Sequence, residues 1–302
     1  MRTNGMAEQV DVVVVGAGQA GLAVSYYLRA FGVEHVVLER GRIGESWQSA
    51  RWDSFTLVTP NWMTRLPGYR MAAGTGGDFP PRGDVVAMLE RLAGGLPVRE
   101  RTEVTSVAAG AQGYRVTTAT GTIAARAVVV AGGGQRRPVI PRLADGLPAG
   151  VVQSDASRYR SPDALPAGAV LVVGSGQSGA QIADELALAG RDVLLATSRV
   201  PRVPRRYRGR DVHEWAVELG AYDQPAEQPY PVPGQLLVGD RVPAVGARQH
   251  RVRLGELGRV GHRLGRLIVD PEFDRPFVHV AAPVPARYPG HPAGGQQHVA
   301  AR

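Results

Sequence analysis

An α/β fold with two parallel-sheet units is predicted by three observations. One is the loop Gly16-Ala17-Gly18-Gln19-Ala20-Gly21. The second is its repeat, Gly174-Ser175-Gly176-Gln177-Ser178-Gly179. The third is the short Val/Leu run ahead of each loop and the apolar helical segment behind it. Each copy reads as the start of a Rossmann-type dinucleotide-binding domain, in which the glycines allow a tight turn and close approach of a pyrophosphate. The helix N-terminus then offers N–H groups and a positive dipole end to the phosphates. A single such match is weak, whereas two with the same flanks in one chain predict two dinucleotides.

The 302 residues suffice for one large or two ordinary domains. No apolar run is long enough to span a membrane; residues 10–15 are interrupted by Asp11, run straight into glycines and read as a first strand, not a signal peptide. With no cysteine, the chain has no disulfide, thiolate metal site or redox dithiol, and a cytoplasmic protein is expected. The net charge of +8 comes entirely from arginine. These arginines are scattered instead of forming a stripe with interleaved aromatics, so no nucleic-acid partner is expected.

Along the first unit, residues 10–15 form a strand and residues 19–31 a helix, with Leu22, Tyr26 and Ala30 at helical spacing and Gly32 ending it. Residues 36–38 form the second strand. Glu39, 23 residues after Gly16, stands where a carboxylate accepts from ribose hydroxyls and repels a 2'-phosphate; with Arg40 it forms the candidate ribose end. FAD or NAD fits such a site and NADP does not. Residues 103–107, 114–118 and 122–125 alternate around glycine turns as a small antiparallel β meander, and residues 128–130 form a further strand leading into Ala131-Gly132-Gly133.

Between these elements lie Gly44-Glu45-Ser46-Trp47, Arg51-Trp52-Asp53-Ser54-Phe55-Thr56, Thr59-Pro60-Asn61-Trp62 and Phe79-Pro80-Pro81-Arg82, the last ahead of a helix over 85–92. In these segments the chain resembles the class B flavin-dependent monooxygenases. The resemblance implies the FAD/NAD(P)-binding fold, with FAD on the first loop and Trp47 near the flavin. It implies a backbone contact to adenine around Val104, and Ala131-Gly132 beside the nucleotide with Gly132 where threonine is usual. It makes Asn61 the candidate catalytic residue, its amide close to where oxygen adds to the flavin. Read from the residues alone, Trp47 is equally a core aromatic and Asn61 a turn residue beside Pro60.

The second unit has a strand over 170–173, a helix over 177–189 ended by Gly190, and a strand over 192–196. Its acid is missing, because 23 residues after Gly174 comes Thr197, followed by Ser198, Arg199, Arg202, Arg205 and Arg206. Hydroxyl and guanidinium groups there suit a 2'-phosphate. The second site, with Gly174, Gly176, Gln177, Ser178, Gly179, Ser198, Arg199 and Arg205 as candidates, is therefore expected to take NADPH. The alternative for the basic cluster is a solvated loop. His213 reads as a partly exposed helix residue outside the chemistry.

The chain divides on this reading into an FAD-binding domain over 6–150, an NADPH-binding domain over 151–224, and an atypical, partly disordered tail over 225–302. In that tail Leu254, Leu257, Val260, Leu264 and Leu267 have helical spacing, but four interleaved glycines make an isolated helix doubtful. Residues 283–298 read as disordered. The family mechanism implies that NADPH reduces FAD, oxygen adds to give a C4a-peroxide, and that species oxygenates a small-molecule soft nucleophile, an amine or sulfide. Gln153 stands where the family has histidine, which leaves open an oxidase or reductase without oxygenation, and the atypical C-terminus leaves open a non-catalytic flavin-binding remnant. A reductase of thioredoxin-reductase type shares the layout, but its dithiol needs cysteines this chain lacks.

Overall fold

The computed structural model describes residues 8–71, 79–134, 138–197, 202–203, 205–223, 237–238, 250–252, 264–269 and 278–280. Strand β1 (Glu8–Val15) leads through the first glycine loop into helix α1 (Gln19–Ala30), and β2 (His35–Leu38) follows. Helices α2 (Glu45–Ser49) and α3 (Arg82–Ala93) precede β3 (Val98–Arg99). The meander is β4 (Val104–Gly110), β5 (Gly113–Thr118) and β6 (Gly121–Val130).

These strands form one sheet in the order β3-β2-β1-β6-β5-β4. Val15 lies in parallel register with Leu38 on one side and Val130 on the other. Such a central strand must be apolar on both faces, and the valine run supplies this, with Val12 and Val14 in one core cluster and Val13 in another. Helix α3 buries Val85, Met88, Leu89, Leu92 and Ala93, a stripe at i, i+3, i+4, i+7 and i+8, against the same cluster as Leu22 of α1.

One element differs from the sequence reading here. The strands expected over 122–125 and 128–130 are a single strand, β6. Its first part pairs antiparallel with β5 and nearly its whole length pairs parallel with β1. The apparent break at Arg126 is an outward-facing residue whose guanidinium meets Asp11 at 3.1 Å.

The second sheet is built from β7 (Val152–Asp155), β8 (Ala169–Val173), β9 (Val193–Thr197), β10 (His250–Val252), β11 (Leu264–Val269) and β12 (Val278–Val280), in the order β10-β12-β9-β8-β11-β7. Helix α4 (Gln177–Leu188) follows β8 through the second glycine loop, and α5 (Val212–Glu218) lies beyond β9. The helical spacing read through Leu264 and Leu267 does not produce a helix in this stretch. Residues 264–269 are a parallel strand, with Leu267 opposite both Leu171 and Gln153. Filling the gap between β8 and β7 satisfies both edges of that backbone, which outweighs a weak helical pattern diluted by glycine. The stretch 283–298 lies outside the described residues. Among the described residues no helix is long and apolar enough to cross a membrane.

Candidate dinucleotide sites and the segment between them

In the first loop the glycines divide into two roles. Gly16 donates to Leu38 O at 2.8 Å and has φ +107°; a Cβ there would stand 2.6 Å from Ala131 O and 3.3 Å from the Cα of Gly132. A Cβ on Gly21 would stand 1.9 Å from Gly16 O. These two let the strand end and α1 close on the loop. Gly18, by contrast, has nothing within 4 Å of its would-be Cβ, and it begins α1 without a side-chain cap. An open glycine beside the uncapped N–H groups of Gln19 and Ala20 is what a pyrophosphate needs.

Glu39 sits beside that opening, its two oxygens accepting from the backbone N–H of Ala17 and of Gly41, each at 2.8 Å. Each carboxylate oxygen keeps a further lone pair for a ribose hydroxyl. Arg40 is exposed at the rim. Thr102 N donates to Glu39 O at 2.7 Å, which ties the start of the meander, and half-buried Val104, to the end of β2.

The segment after β2 leaves the first unit and docks on the second. Gly44 is left-handed at φ +66° and starts α2, where Arg42 bonds Glu45 and holds its carboxyl down to about 2. Trp47 is half-buried, 5.8 Å from Phe55 between ring centroids, with the Arg51 guanidinium 5.2 Å over it. Trp52 is 1% exposed and belongs to the core of the second unit, packed with Tyr159, Leu165, Val172 and Ile182. Gln181 of α4 grips Thr56, its amide donating to Thr56 O at 3.0 Å. Arg160 adds a bond to Ser49 O, and Asp53 N donates to Arg160 O at 2.9 Å.

The Phe79-Pro80-Pro81-Arg82 run lies antiparallel to this segment. Leu57 N donates to Pro80 O and Arg82 N to Phe55 O, while the Arg82 side chain reaches Arg51 O and Asp53. Proline suits this edge because its missing N–H is not needed there. Asn61 opens the 3-10 turn Asn61–Met63, and Thr64 N donates to its carbonyl at 3.0 Å. The turn role is therefore real. Asn61 Oδ1 and Thr64 Oγ1, however, are buried without a hydrogen-bond partner among the described residues, a costly condition.

The second loop repeats the first in outline. Gly174 donates to Ala196 O at 2.9 Å, Gly176 begins α4 without a side-chain cap, and Ser178 and buried Gly179 follow Gln177 in its first turn. Ser175 is buried, its hydroxyl without a hydrogen-bond partner among the described residues. Thr197 takes the place of Glu39 at the end of β9. Ser198 and Arg199 lie outside the described residues. Arg205 does not fit the role expected of it. It is 3% exposed, its Nε donates to Asp211 at 2.6 Å, its Nη1 donates to Val58 O at 2.7 Å, and its guanidinium lies 4.7 Å over the Phe79 ring. Its Nε and Nη1 are engaged inside the protein and the whole group is buried, which argues against a phosphate contact at Arg205.

A signal for this was present in the sequence: Arg208-Gly209 turns the chain back at positive φ, so that Arg206–Tyr207 pairs with Arg210–Asp211 and brings Asp211 to Arg205. His213 is half-buried in α5. Burial first, then the Arg205 cation, lowers its pKa from the usual histidine value, against an opposing pull from Asp211. Gln153 is also committed, its amide donating to Ala144 O at 3.2 Å. Among the described residues no cluster of histidines and carboxylates could hold a metal ion.

Comparison with known proteins agrees with two nucleotide units. The family model described as pyridine nucleotide-disulphide oxidoreductase matches residues 13–210. An uncharacterized CzcO-like oxidoreductase of Geobacillus kaustophilus is 39% identical over 219 residues, covering 71% of this chain and 62% of that protein. The chain thus spans about three fifths of that relative's length. The indole-3-pyruvate monooxygenase YUCCA4 of Oryza sativa subsp. japonica is 33% identical over 203 residues, 59% of this chain and 45% of that one. A flavin monooxygenase variant from Stenotrophomonas maltophilia superposes with TM-score 0.64 at 25% identity, covering 89% of this chain and 80% of that one. On the repeated glycine loops, the matched residues and these relatives, the chain belongs to the pyridine nucleotide-disulphide oxidoreductase family and is similar to flavin monooxygenases.

Proposed function

We propose that the protein is a monooxygenase that holds FAD on the loop Gly16–Gly21 and NADPH on the loop Gly174–Gly179, and oxidises a small amine or sulfide with oxygen. The observation that carries this reading is the inequality of the two loops. A carboxylate, Glu39, is fastened beside the first, and Thr197 stands at the same position of the second. FAD supplies the hydride-accepting and oxygen-using chemistry when bound, and the chain's residues bind, orient and exclude water. Glu39 holds the ribose, Trp47 and Phe55 form an apolar wall, and the amide of Asn61, with its unpartnered Oδ1, stands ready to hydrogen-bond at the flavin edge.

The test is to reconstitute the protein with FAD and follow NADPH loss, oxygen uptake and peroxide release with and without a thioether or tertiary amine. Oxygenated product formed in proportion to NADPH supports the reading. A second reading, an NADPH oxidase, is favoured by the engagement of Gln153 with Ala144, and it predicts peroxide equal to NADPH whatever acceptor is offered. Absence of bound flavin would count against both.

Glu39→Ala gives a narrower prediction. Hydrogen bonds to a charged acceptor contribute about 1.5–3 kcal/mol each, so FAD affinity should fall by roughly ten- to a hundredfold. NADPH affinity should be unchanged. Titration of apoprotein with FAD and with NADPH checks this, and equal losses for both nucleotides would contradict the assignment of FAD to the first loop.

A further inference from the structure

We infer that Arg205 is a positioning residue through which the second unit holds the Asn61 turn of the first. This rests on the reading of Asn61 as a flavin-side residue. The contacts form a chain. Asp211 is fixed as the N-cap of α5, accepting from His213 N at 2.8 Å while Glu214 reaches back to Asp211 N. Asp211 holds Arg205 by Nε, and Arg205 holds Val58 by Nη1, three residues before Asn61.

The face of the same guanidinium covers Phe79, the first residue of the run that lies along Phe55 and Leu57. One buried cation therefore grips the Asn61 segment both through its backbone and through the strand beside it. A planar fork is needed for this, since a lysine ammonium could meet Asp211 but would not also present an aligned donor to Val58 O and a flat face to Phe79. Among the described residues Arg205 Nη2 is buried without a partner, and the contacts seen for the group are those three.

Among the described residues one other side-chain grip on this segment from the second unit lies close by. Gln181 holds Thr56, five residues before Asn61, and leaves Val58 to Asn61 to follow Arg205. Without Arg205 the turn remains in the chain but loses its fixed place. Hydride arrival at the flavin is then preserved, and the share of reduced flavin that yields oxygenated product drops.

The experiment compares the full chain with Arg205→Met and Arg205→Lys, reconstituted with FAD, by hydrogen exchange and by steady-state turnover. In Arg205→Met, amide exchange over 56–64 should accelerate at least fivefold while that of β1 and β8 is unchanged. KM for NADPH should stay within twofold, kcat for product should fall about tenfold, and released peroxide should rise to match. Arg205→Lys should lie between the two. Should Arg205→Met fail to fold, Asp211→Asn, which keeps an acceptor for the α5 cap, is expected to show the same pattern in weaker form.

Unchanged exchange over 56–64 overturns the inference. So does a rise in KM for NADPH alone, with KM for NADH and the peroxide share constant, since that behaviour belongs to a phosphate ligand. If the wild-type protein binds no flavin, the proposed function fails, and the exchange comparison still decides whether Arg205 holds the turn.

Discussion

Replacing Gly21 by alanine is expected to disable the first nucleotide site altogether. The added Cβ would stand 1.9 Å from Gly16 O and 3.1 Å from its carbonyl carbon. Neither is the end of a flexible side chain, so the backbone itself must move. Either α1 lifts off the loop or the loop shifts, and both break the neighbouring bonds from Gly16 N to Leu38 O and from Ala17 N to Glu39. Overpacking in a close-packed core costs about 1–3 kcal/mol and more where relief is blocked. The first unit should therefore lose about 3 kcal/mol or more of stability.

FAD affinity should fall by more than about a hundredfold, which corresponds to roughly 2.8 kcal/mol. Gly18→Ala separates packing from binding. Its Cβ meets nothing within 4 Å, so that variant should fold normally and lose FAD affinity because the methyl occupies the space of the pyrophosphate. Thermal unfolding and FAD titration of both variants check the pair. Wild-type behaviour of Gly21→Ala in both would show that α1 does not sit on the loop in this way.

The second large effect is expected from Trp52→Ala. Trp52 is among the largest fully buried side chains, yet it lies in a segment that starts in the first unit and is packed into the core of the second. Truncating a buried tryptophan costs about 3–5 kcal/mol, a large part of the stability of a domain of this size. The loss should fall on the second unit and on the join between the two. Trp52 Nε1 has no hydrogen-bond partner among the described residues, so Trp52→Phe gives up mainly volume and should cost distinctly less. Trp47→Ala, at a half-buried site, should also cost less. Denaturant unfolding of the three variants ranks them, and a loss below about 1 kcal/mol for Trp52→Ala would mean that this segment is not part of the second core.

Much of the architecture could be read from local pattern. The helix α3 shows this well, since its buried residues recur at the spacing of one helical face and need no partner to be recognised. The two glycine loops were legible for a similar reason: each compresses a strand end, a turn and a helix start into six residues whose steric requirements are local. Strand β11 was not legible. Its leucines also fit a helical spacing, and only the gap between β7 and β8, contributed by residues about a hundred positions away, makes the extended form preferable. Trp52 was read as part of a stretch resembling a flavin site, and nothing in its neighbours along the chain shows that it belongs to the core around Val172 and Ile182.

Arg205 marks the division most sharply. The sequence by itself determined that two strand–loop–helix units are present, that the first has an acid 23 residues after its first glycine, and that the second has a threonine there with basic residues beyond it. Those properties depend on steric and charge requirements a few residues wide. Only the tertiary structure decided that Arg205 among these basic residues is buried and engaged inside the protein. A guanidinium's role is set by the groups around it, and for Arg205 these are a carboxylate six residues on, a carbonyl 147 residues back and an aromatic ring from a third segment. Folding brings them together, and desolvation then commits the cation to them.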